Sequence, residues 1–266
     1  MRAHLVQVDI VWESKPANRQ KVDELLAGCG IVSGDLVVLP EMFDTGFSFN
    51  LDVTADRDDE TLRYLERLAQ RTGATVHGSR TVVGEDGRGR NMVTVTGRSG
   101  GGDGLLVCEY AKVHPFSLGV PSEAERFTAG GEVVVYPWGE TKVCPAICYD
   151  LRFPELFRRG MLLGAEVFAI GSNWPRTREF HRRTLSIARA IENQAFMLSV
   201  NRTGRDPSLE YSGGTLAISP RGDVLGELGA EEGVLSVEID LNDLRRWRSV
   251  FRAWKDHRLL GEMVAG

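Results

Sequence analysis

Short apolar runs alternate with amphipathic stretches along this chain, and this alternation constrains the fold more than any other feature. Runs at 36–39, 142–147 and 166–170 have the length of buried strands, and helical patterns lie between such runs. Glycine-rich stretches at 84–89 and 97–104 separate further extended segments and predict hairpin turns. Strands that alternate with helices but also form hairpins favour a mixed α/β sheet system with helices outside, rather than a purely parallel doubly wound sheet.

Helices are predicted where apolar residues recur every three or four positions between start and stop signals. Pro16 starts one such stretch, and Gly73 ends another. The predicted helices cover 16–28, 58–73, 148–163 and 176–195. One apolar face of the last is formed by Phe180, Thr184, Ile187, Ala188, Ile191 and Ala195. The predicted strands cover 5–10, 36–39, 74–84, 91–97, 105–111, 132–136, 142–147, 166–170, 196–200, 215–219, 223–228 and 234–239.

Three apolar runs end at a residue that can take part in catalysis. The first runs into Glu41, the second into Lys112 and the third into Cys148. The predicted helix that begins at Cys148 would bring backbone N–H groups close to the thiol, and such groups favour a thiolate nucleophile. A base, a cation and a nucleophile, each at the end of an apolar strand, indicate covalent hydrolysis of a carbon–nitrogen bond.

Composition and charge exclude several other classes of function. The net charge of −5 provides no basic surface for nucleic acid, and no apolar run reaches the length of a membrane span. The first strand begins so close to Met1 that no signal peptide is expected, and four cysteines without a CxxC pair are typical of reduced cytoplasmic thiols. The five histidines have no metal-ligand spacing, so neither a metal nor an organic cofactor is expected.

The segments around the three strand ends resemble the signature segments of the nitrilase (carbon–nitrogen hydrolase) superfamily. They read Leu-Pro-Glu41-Met-Phe, Tyr-Ala-Lys112-Val-His and Ile-Cys148-Tyr-Asp-Leu-Arg-Phe-Pro-Glu, with spacings of 71 and then 36 residues. The likeness covers nearly the whole chain and continues through 171–175, 189–196, 201–204 and 211–215. Three dispersed segments in the right order are far more specific than any one of them alone.

The resemblance implies a four-layer αββα sandwich in a single domain over 1–266, usually paired as a homodimer. It makes Glu41 the general base that removes the Cys148 proton and Cys148 the nucleophile that forms a thioester. It assigns the oxyanion to Lys112 and the backbone N–H of Tyr149. A preorganised donor of this kind is worth roughly 3–4 kcal/mol of barrier.

Many family members carry a second glutamate after the lysine, which orients the substrate amide. Glu123 and Glu125 are the two candidates, and Glu123 fits the family's spacing to Gly130 better. His114 is interpreted as a structural hydrogen-bonding residue, because a cysteine–histidine pair leaves the charged residues at the strand ends unexplained. The aromatic and arginine-rich tail at about 241–266 belongs either to a subunit interface or to packing on its own subunit.

Within the superfamily, the chain is most similar to the ω-amidase branch, which hydrolyses the terminal amide of 2-oxoglutaramate or 2-oxosuccinamate. That substrate implies a small pocket, with Phe43, Phe116 and Trp174 as candidate walls. Arg152 is a candidate for binding the far carboxylate, with a structural ion pair as the alternative. Asn173 is a candidate hydrogen-bonding partner of the 2-oxo acid end. The alternatives are an amidase or N-carbamoyl-acid amidohydrolase for another small molecule, and a catalytically silent binding module of the same fold.

Overall fold

The computed structural model describes residues 1–97, 105–119 and 121–258. The strands are β1 (Arg2–Gln7), β2 (Leu36–Val38), β3 (Thr75–Val83), β4 (Gly89–Thr96), β5 (Leu106–Ala111), β6 (Tyr136–Trp138), β7 (Thr141–Ile147), β8 (Val167–Ser172), β9 (Phe196–Asn201), β10 (Thr203–Arg205), β11 (Glu210–Ser212), β12 (Leu216–Ile218), β13 (Val224–Glu227) and β14 (Gly233–Glu238). The α-helices are α1 (Lys15–Leu26), α2 (Leu51–Thr54), α3 (Glu60–Thr72), α4 (Glu123–Arg126), α5 (Pro154–Leu162), α6 (Glu179–Asn193) and α7 (Leu241–Val250). Short 3-10 turns cover Cys148–Arg152, Arg176–Arg178 and Ala253–Lys255.

Two six-stranded mixed sheets form the body of the protein. The first has the order β14-β1-β2-β3-β4-β5, and the second has the order β13-β12-β9-β8-β7-β6. Each sheet has three parallel strands at its centre, β1-β2-β3 in one and β7-β8-β9 in the other, with antiparallel strands on both sides. The carboxyl ends of parallel strands meet at one edge of a sheet, which is where side chains of a site can be collected.

The hydrophobic core identifies the layers. One buried cluster contains residues of both sheets, including Leu5 and Val38 from the first and Phe168 and Leu198 from the second, so the sheets pack face to face. A second cluster joins the outer face of the first sheet to α1 and α3. Helices α5 and α6 cover the second sheet. The four-layer αββα sandwich in a single domain is therefore confirmed.

Three element predictions need correction. The predicted helix 148–163 is interrupted at Phe153, which is extended because the following Pro154 disfavours a helical conformation before it. The strand predicted at 132–136 is instead the short β6, and the hairpin β10-β11 was not predicted because its strands have only three residues each. The turn predicted at 97–104 lies, from residue 98 onward, outside the described residues.

Helix α6 presents only part of its predicted apolar face to solvent, because Ile187 and Ala188 are half-buried and Ala195, beyond the helix, is buried. Phe180 is 79% exposed and Ile191 is 50% exposed. The face that packs on the sheet is mostly polar and includes Arg182 and Arg189. Arg182 donates to the hydroxyl of Ser199 at 2.8 Å, and Arg189 donates to the carbonyl oxygen of Leu151 at 2.9 Å. Hydrogen bonds satisfy these buried cations, so the helix can turn its charged side inward.

Part of the C-terminal tail packs on its own subunit. The backbone N–H of Trp254 donates to the side chain of Gln194 at 2.8 Å, and the guanidinium of Arg248 lies 5.0 Å from the centre of the Trp254 ring. Val250 and Phe251 stay exposed. Residues 259–266 of the predicted interface segment lie outside the described part of the chain.

Within the described ranges, no helix has the length and apolar content needed to span a membrane.

Candidate active site

Three strand ends from the two sheets meet at one place between them. Glu41 follows β2, Lys112 follows β5 and Cys148 follows β7. The approach of the sheets depends on Gly171 in β8, where an added Cβ would lie 2.6 Å from the carbonyl oxygen of Leu39 and 2.8 Å from the backbone nitrogen of Glu41. Only a residue without a side chain allows the two backbones to come this close.

Lys112 lies between two buried carboxylates. Its Nζ is 2.8 Å from Glu41 Oε1 and 2.8 Å from Glu123 Oε2. Asn91, a buried residue of β4, donates from the same Nδ2 to Glu41 Oε1 at 2.8 Å and to Glu123 Oε1 at 2.9 Å. The backbone N–H of Phe116 donates to Glu123 Oε2 at 2.6 Å. Every one of these groups is fixed by at least one charged partner, which makes the site rigid before any substrate binds.

The charges of this cluster alter one another's protonation. Burial alone would lower the pKa of Lys112, but the negative charges of Glu123 and Glu41 outweigh it and raise that pKa above its ordinary value. Burial raises the pKa of Glu123, and the charge of Glu41 adds to this, although Lys112 and the Asn91 hydrogen bond oppose it. The lysine is therefore a permanent cation at neutral pH.

The surroundings of Cys148 favour its neutral thiol. Burial and the negative charge of Glu41 raise its pKa well above the ordinary value, and Lys112 only partly opposes this. The helix start that was predicted to activate the thiolate does not lie at the cysteine, because Cys148 begins a short 3-10 turn and α5 starts only at Pro154. A carboxylate beside a neutral thiol can accept its proton, and Glu41 lies beside Cys148.

The backbone at Cys148, the candidate nucleophile, is held in an unusual conformation. Cys148 has a φ of +43°, a left-handed conformation that costs a non-glycine residue about 1–3 kcal/mol. Asp150 stabilises it by accepting from the backbone N–H of Ile147 at 2.9 Å and from the hydroxyl of Tyr110 at 2.7 Å. Asp150 also accepts from the backbone N–H of His114 at 2.9 Å, which agrees with a structural role for that histidine. The turn directs the sulfur into the pocket.

A pocket opens onto Cys148. Its lining residues are Phe47, Phe116, Cys148, Tyr149, Arg152, Asn173, Trp174, Pro175, Arg178 and Leu209. The Arg152 guanidinium lies 4.8 Å from the centre of a Trp174 ring and 5.9 Å from that of Tyr149. Across residues 1–97, 105–119 and 121–258, no carboxylate lies within 4.0 Å of it. The structural ion pair considered for Arg152 is therefore absent from the described part of the chain.

A family comparison agrees with this geometry. The family model described as carbon–nitrogen hydrolase matches residues 2–249. The chain belongs to the carbon–nitrogen hydrolase family. Among its relatives, the 2-oxoglutaramate amidase of Bacillus subtilis is 34% identical over 255 residues, which is 95% of this chain and 96% of the relative. The ω-amidase YafV of Escherichia coli K12 is 32% identical over 258 residues, 96% of each.

A solved structure supports the same assignment. The crystal structure of a CN-hydrolase superfamily protein from Xanthomonas campestris, which carries an arsenic adduct in its active site, matches with a TM-score of 0.88. The two chains are 32% identical, and the match covers 97% of each. The carbon–nitrogen hydrolase fold of this chain is thus seen in a solved relative over 97% of the chain.

Not all predicted pocket residues of this hydrolase line the pocket. Phe43 is wrong as a wall, because its ring is buried in the outer core at 5.9 Å from the Tyr64 ring, and Phe47 takes that place. Asn173 does line the pocket, but its Nδ2 donates to the backbone oxygen of Glu41 at 2.6 Å. Of the two candidate glutamates, Glu123 reaches Lys112, whereas the exposed Glu125 caps α4.

Sequence reasoning missed four residues of this hydrolase site. Asn91 gave a weak signal, since asparagine is disfavoured inside a strand and usually has a special reason to be there. Asp150 lies inside the quoted cysteine segment, but its role follows only from the backbone groups that the turn brings to it. Phe47 lies in an irregular segment that no periodicity could orient, and Arg178 lies in a 3-10 turn where an α-helix was predicted.

Proposed function

We propose that this hydrolase is an ω-amidase that converts the terminal amide of a small 2-oxo acid, such as 2-oxoglutaramate or 2-oxosuccinamate, to the carboxylate and ammonia. The observation that carries the proposal is Arg152. Its guanidinium lines the pocket of the candidate nucleophile and has no carboxylate within 4.0 Å among the described residues. A half-buried guanidinium without an anion suits a substrate that brings a carboxylate of its own.

The proposed chemistry has two halves. Glu41 takes the thiol proton as Cys148 attacks the amide carbon, and the oxygen becomes an oxyanion held by Lys112 and the backbone N–H of Tyr149. The intermediate then collapses, the nitrogen leaves as ammonia with the proton from Glu41, and a thioester remains. Water attacks the thioester, Glu41 accepts a proton from it, and the carboxylate leaves as Cys148 regains its proton. One water is consumed for each ammonia released.

Lys112 and Glu123 support these steps electrostatically. Because the pKa of Lys112 is raised, its ammonium is charged in every step and stabilises the oxyanion without a proton transfer. Glu123 fixes the ammonium through a second ion pair and, in this proposal, accepts from the substrate amide N–H. Tyr149, Phe116 and Trp174 supply the apolar walls of the pocket.

We also infer a homodimer in the cytoplasm. The outward face of α6 presents Phe180 and Ile191, which are 79% and 50% exposed, and a second copy would cover such a face. All four cysteines are free thiols, which suits a reducing compartment.

The proposal is tested by ammonia release from a panel of 2-oxo acid amides, aliphatic amides, N-carbamoyl amino acids and nitriles. Wild-type protein should prefer the 2-oxo acid amides, and Arg152→Gln should raise KM for them by about 10- to 100-fold while changing turnover of an uncharged amide much less. If the wild-type protein prefers N-carbamoyl acids or uncharged amides, the assignment of 2-oxo acid amides as substrates is wrong. No turnover of any compound would favour a binding module.

A further inference from the structure

A second arginine, Arg178, enters the same pocket from the 3-10 turn Arg176–Arg178. Its guanidinium carbon lies 5.5 Å from the centre of the ring of Phe116, another residue that lines the pocket. The carbonyl oxygen of Arg178 accepts from the indole N–H of Trp174 at 2.8 Å, and its own N–H donates to the carbonyl oxygen of Pro175 at 3.0 Å. Its backbone is therefore fixed to a wall of the pocket.

Arg178 has no anionic partner among residues 1–97, 105–119 and 121–258. Its neighbour in the turn, Arg176, is different: its side chain is 70% exposed, lies outside the pocket and is 3.6 Å from Glu210. A ring face compensates a desolvated guanidinium only in part. A half-buried arginine on the pocket wall thus leaves donor groups free for a ligand.

The pocket needs such a donor. A 2-oxo acid carries a keto oxygen beside its carboxylate, and both accept hydrogen bonds. Asn173 was the predicted partner of this end, but its Nδ2 is engaged by Glu41 and its Oδ1 can only accept. The indole N–H of Trp174 is engaged by Arg178. Two guanidiniums can donate to the keto oxygen and to the adjacent carboxylate at the same time, which suits this pair of acceptors better than a single guanidinium does.

We propose that Arg178 is a specificity-determining residue, which donates to the 2-oxo group of the substrate while Arg152 binds the adjacent carboxylate. This inference rests on the proposed function. It explains how the pocket would select 2-oxo acid amides over amides of plain dicarboxylic acids that have the same length and charge.

The test compares 2-oxoglutaramate with glutaramate, which lacks only the keto oxygen. The variants are Arg178→Gln, Arg178→Lys and the matched control Arg176→Gln from the same turn. For Arg178→Gln we expect KM for 2-oxoglutaramate to rise about 10- to 100-fold, with kcat within about threefold of wild type and with glutaramate kinetics nearly unchanged. Arg178→Lys should recover part of the lost preference for 2-oxoglutaramate, since lysine restores the positive charge but not the planar set of N–H donors of a guanidinium. Arg176→Gln should behave as wild type.

Two contrary results have different meanings. If wild-type protein turns over 2-oxoglutaramate but Arg178→Gln keeps the preference for it, or loses activity on both substrates equally, the role of Arg178 is refuted and the proposed function stands. If wild-type protein does not turn over 2-oxo acid amides, the proposed function fails and this inference fails with it. Thermal unfolding of each variant confirms that the fold is intact.

Discussion

Asn91 provides a sharp test of the electrostatic design of the site. Its Nδ2 donates to Glu41 at 2.8 Å and to Glu123 at 2.9 Å, so replacement by alanine removes two hydrogen bonds to charged groups. Each is worth about 1.5–3 kcal/mol. Together they are worth about 3–6 kcal/mol, so we expect Asn91→Ala to lower kcat/KM by about 10²- to 10⁴-fold at neutral pH while leaving the protein folded.

The Asn91→Ala change should also shift the pH dependence of kcat/KM in a definite direction. The Asn91 hydrogen bond lowers the pKa of Glu123, which burial and the Glu41 charge have already raised. Without that bond the pKa of Glu123 rises further, so the carboxylate takes up its proton at a higher pH. The acid limb of the kcat/KM profile should therefore move to higher pH, by about one unit.

A nearly isosteric variant separates hydrogen bonding from packing. Asn91→Asp keeps the shape of the side chain but replaces the donor with a third carboxylate beside Glu41 and Glu123, so it should be less active than Asn91→Ala. Steady-state kinetics between pH 5 and 9 measure both variants, with urea unfolding as the check on stability. An active Asn91→Asp enzyme, or an unmoved acid limb in Asn91→Ala, would refute the reasoning.

Three further predictions concern the turn, the sheet contact and the subunit interface. Asp150→Asn keeps the size of the side chain but weakens the acceptor for the Ile147 and His114 N–H groups, so we expect kcat to fall at least tenfold, and wild-type kinetics would contradict this. Gly171→Ala puts a Cβ 2.8 Å from the Glu41 nitrogen, and should lower the free energy of unfolding by about 1–3 kcal/mol together with activity; an unchanged urea midpoint would contradict it. Phe180→Asp should shift the mass measured by light scattering from dimer to monomer, and an unchanged dimer would place the interface elsewhere.

The sequence predicted the strand ends well because each carries a local signal. An apolar run followed by Glu41, Lys112 or Cys148 can be recognised without knowing the neighbours, and the structure brings all three ends together. The orientation of α6 was less predictable. Periodicity predicts which residues share a face of the helix. It does not predict that Arg182 hydrogen-bonds to β9, which allows the polar face to pack inward.

Contacts made across the fold carried no readable signal in one sequence. The Asn91 amide matters because β4 brings it between two carboxylates that lie 50 positions before it and 32 after it. Phe43 was predicted as a pocket wall in place of Phe47 for a similar reason. The segment after Glu41 is irregular, and the Phe43 ring packs in the outer core. Side-chain direction in irregular backbone depends on the tertiary fold rather than on any repeating pattern.

The most direct test of the central claim is the release of ammonia and dicarboxylate from 2-oxosuccinamate and 2-oxoglutaramate by wild-type protein and by Cys148→Ala. Wild-type protein should release one ammonia and one dicarboxylate for each amide consumed. Cys148→Ala should release neither above background, with an unchanged unfolding transition. Turnover that survives in the folded alanine variant would contradict the assignment of Cys148 as the nucleophile, and the absence of turnover by wild-type protein would contradict the assignment of the substrate.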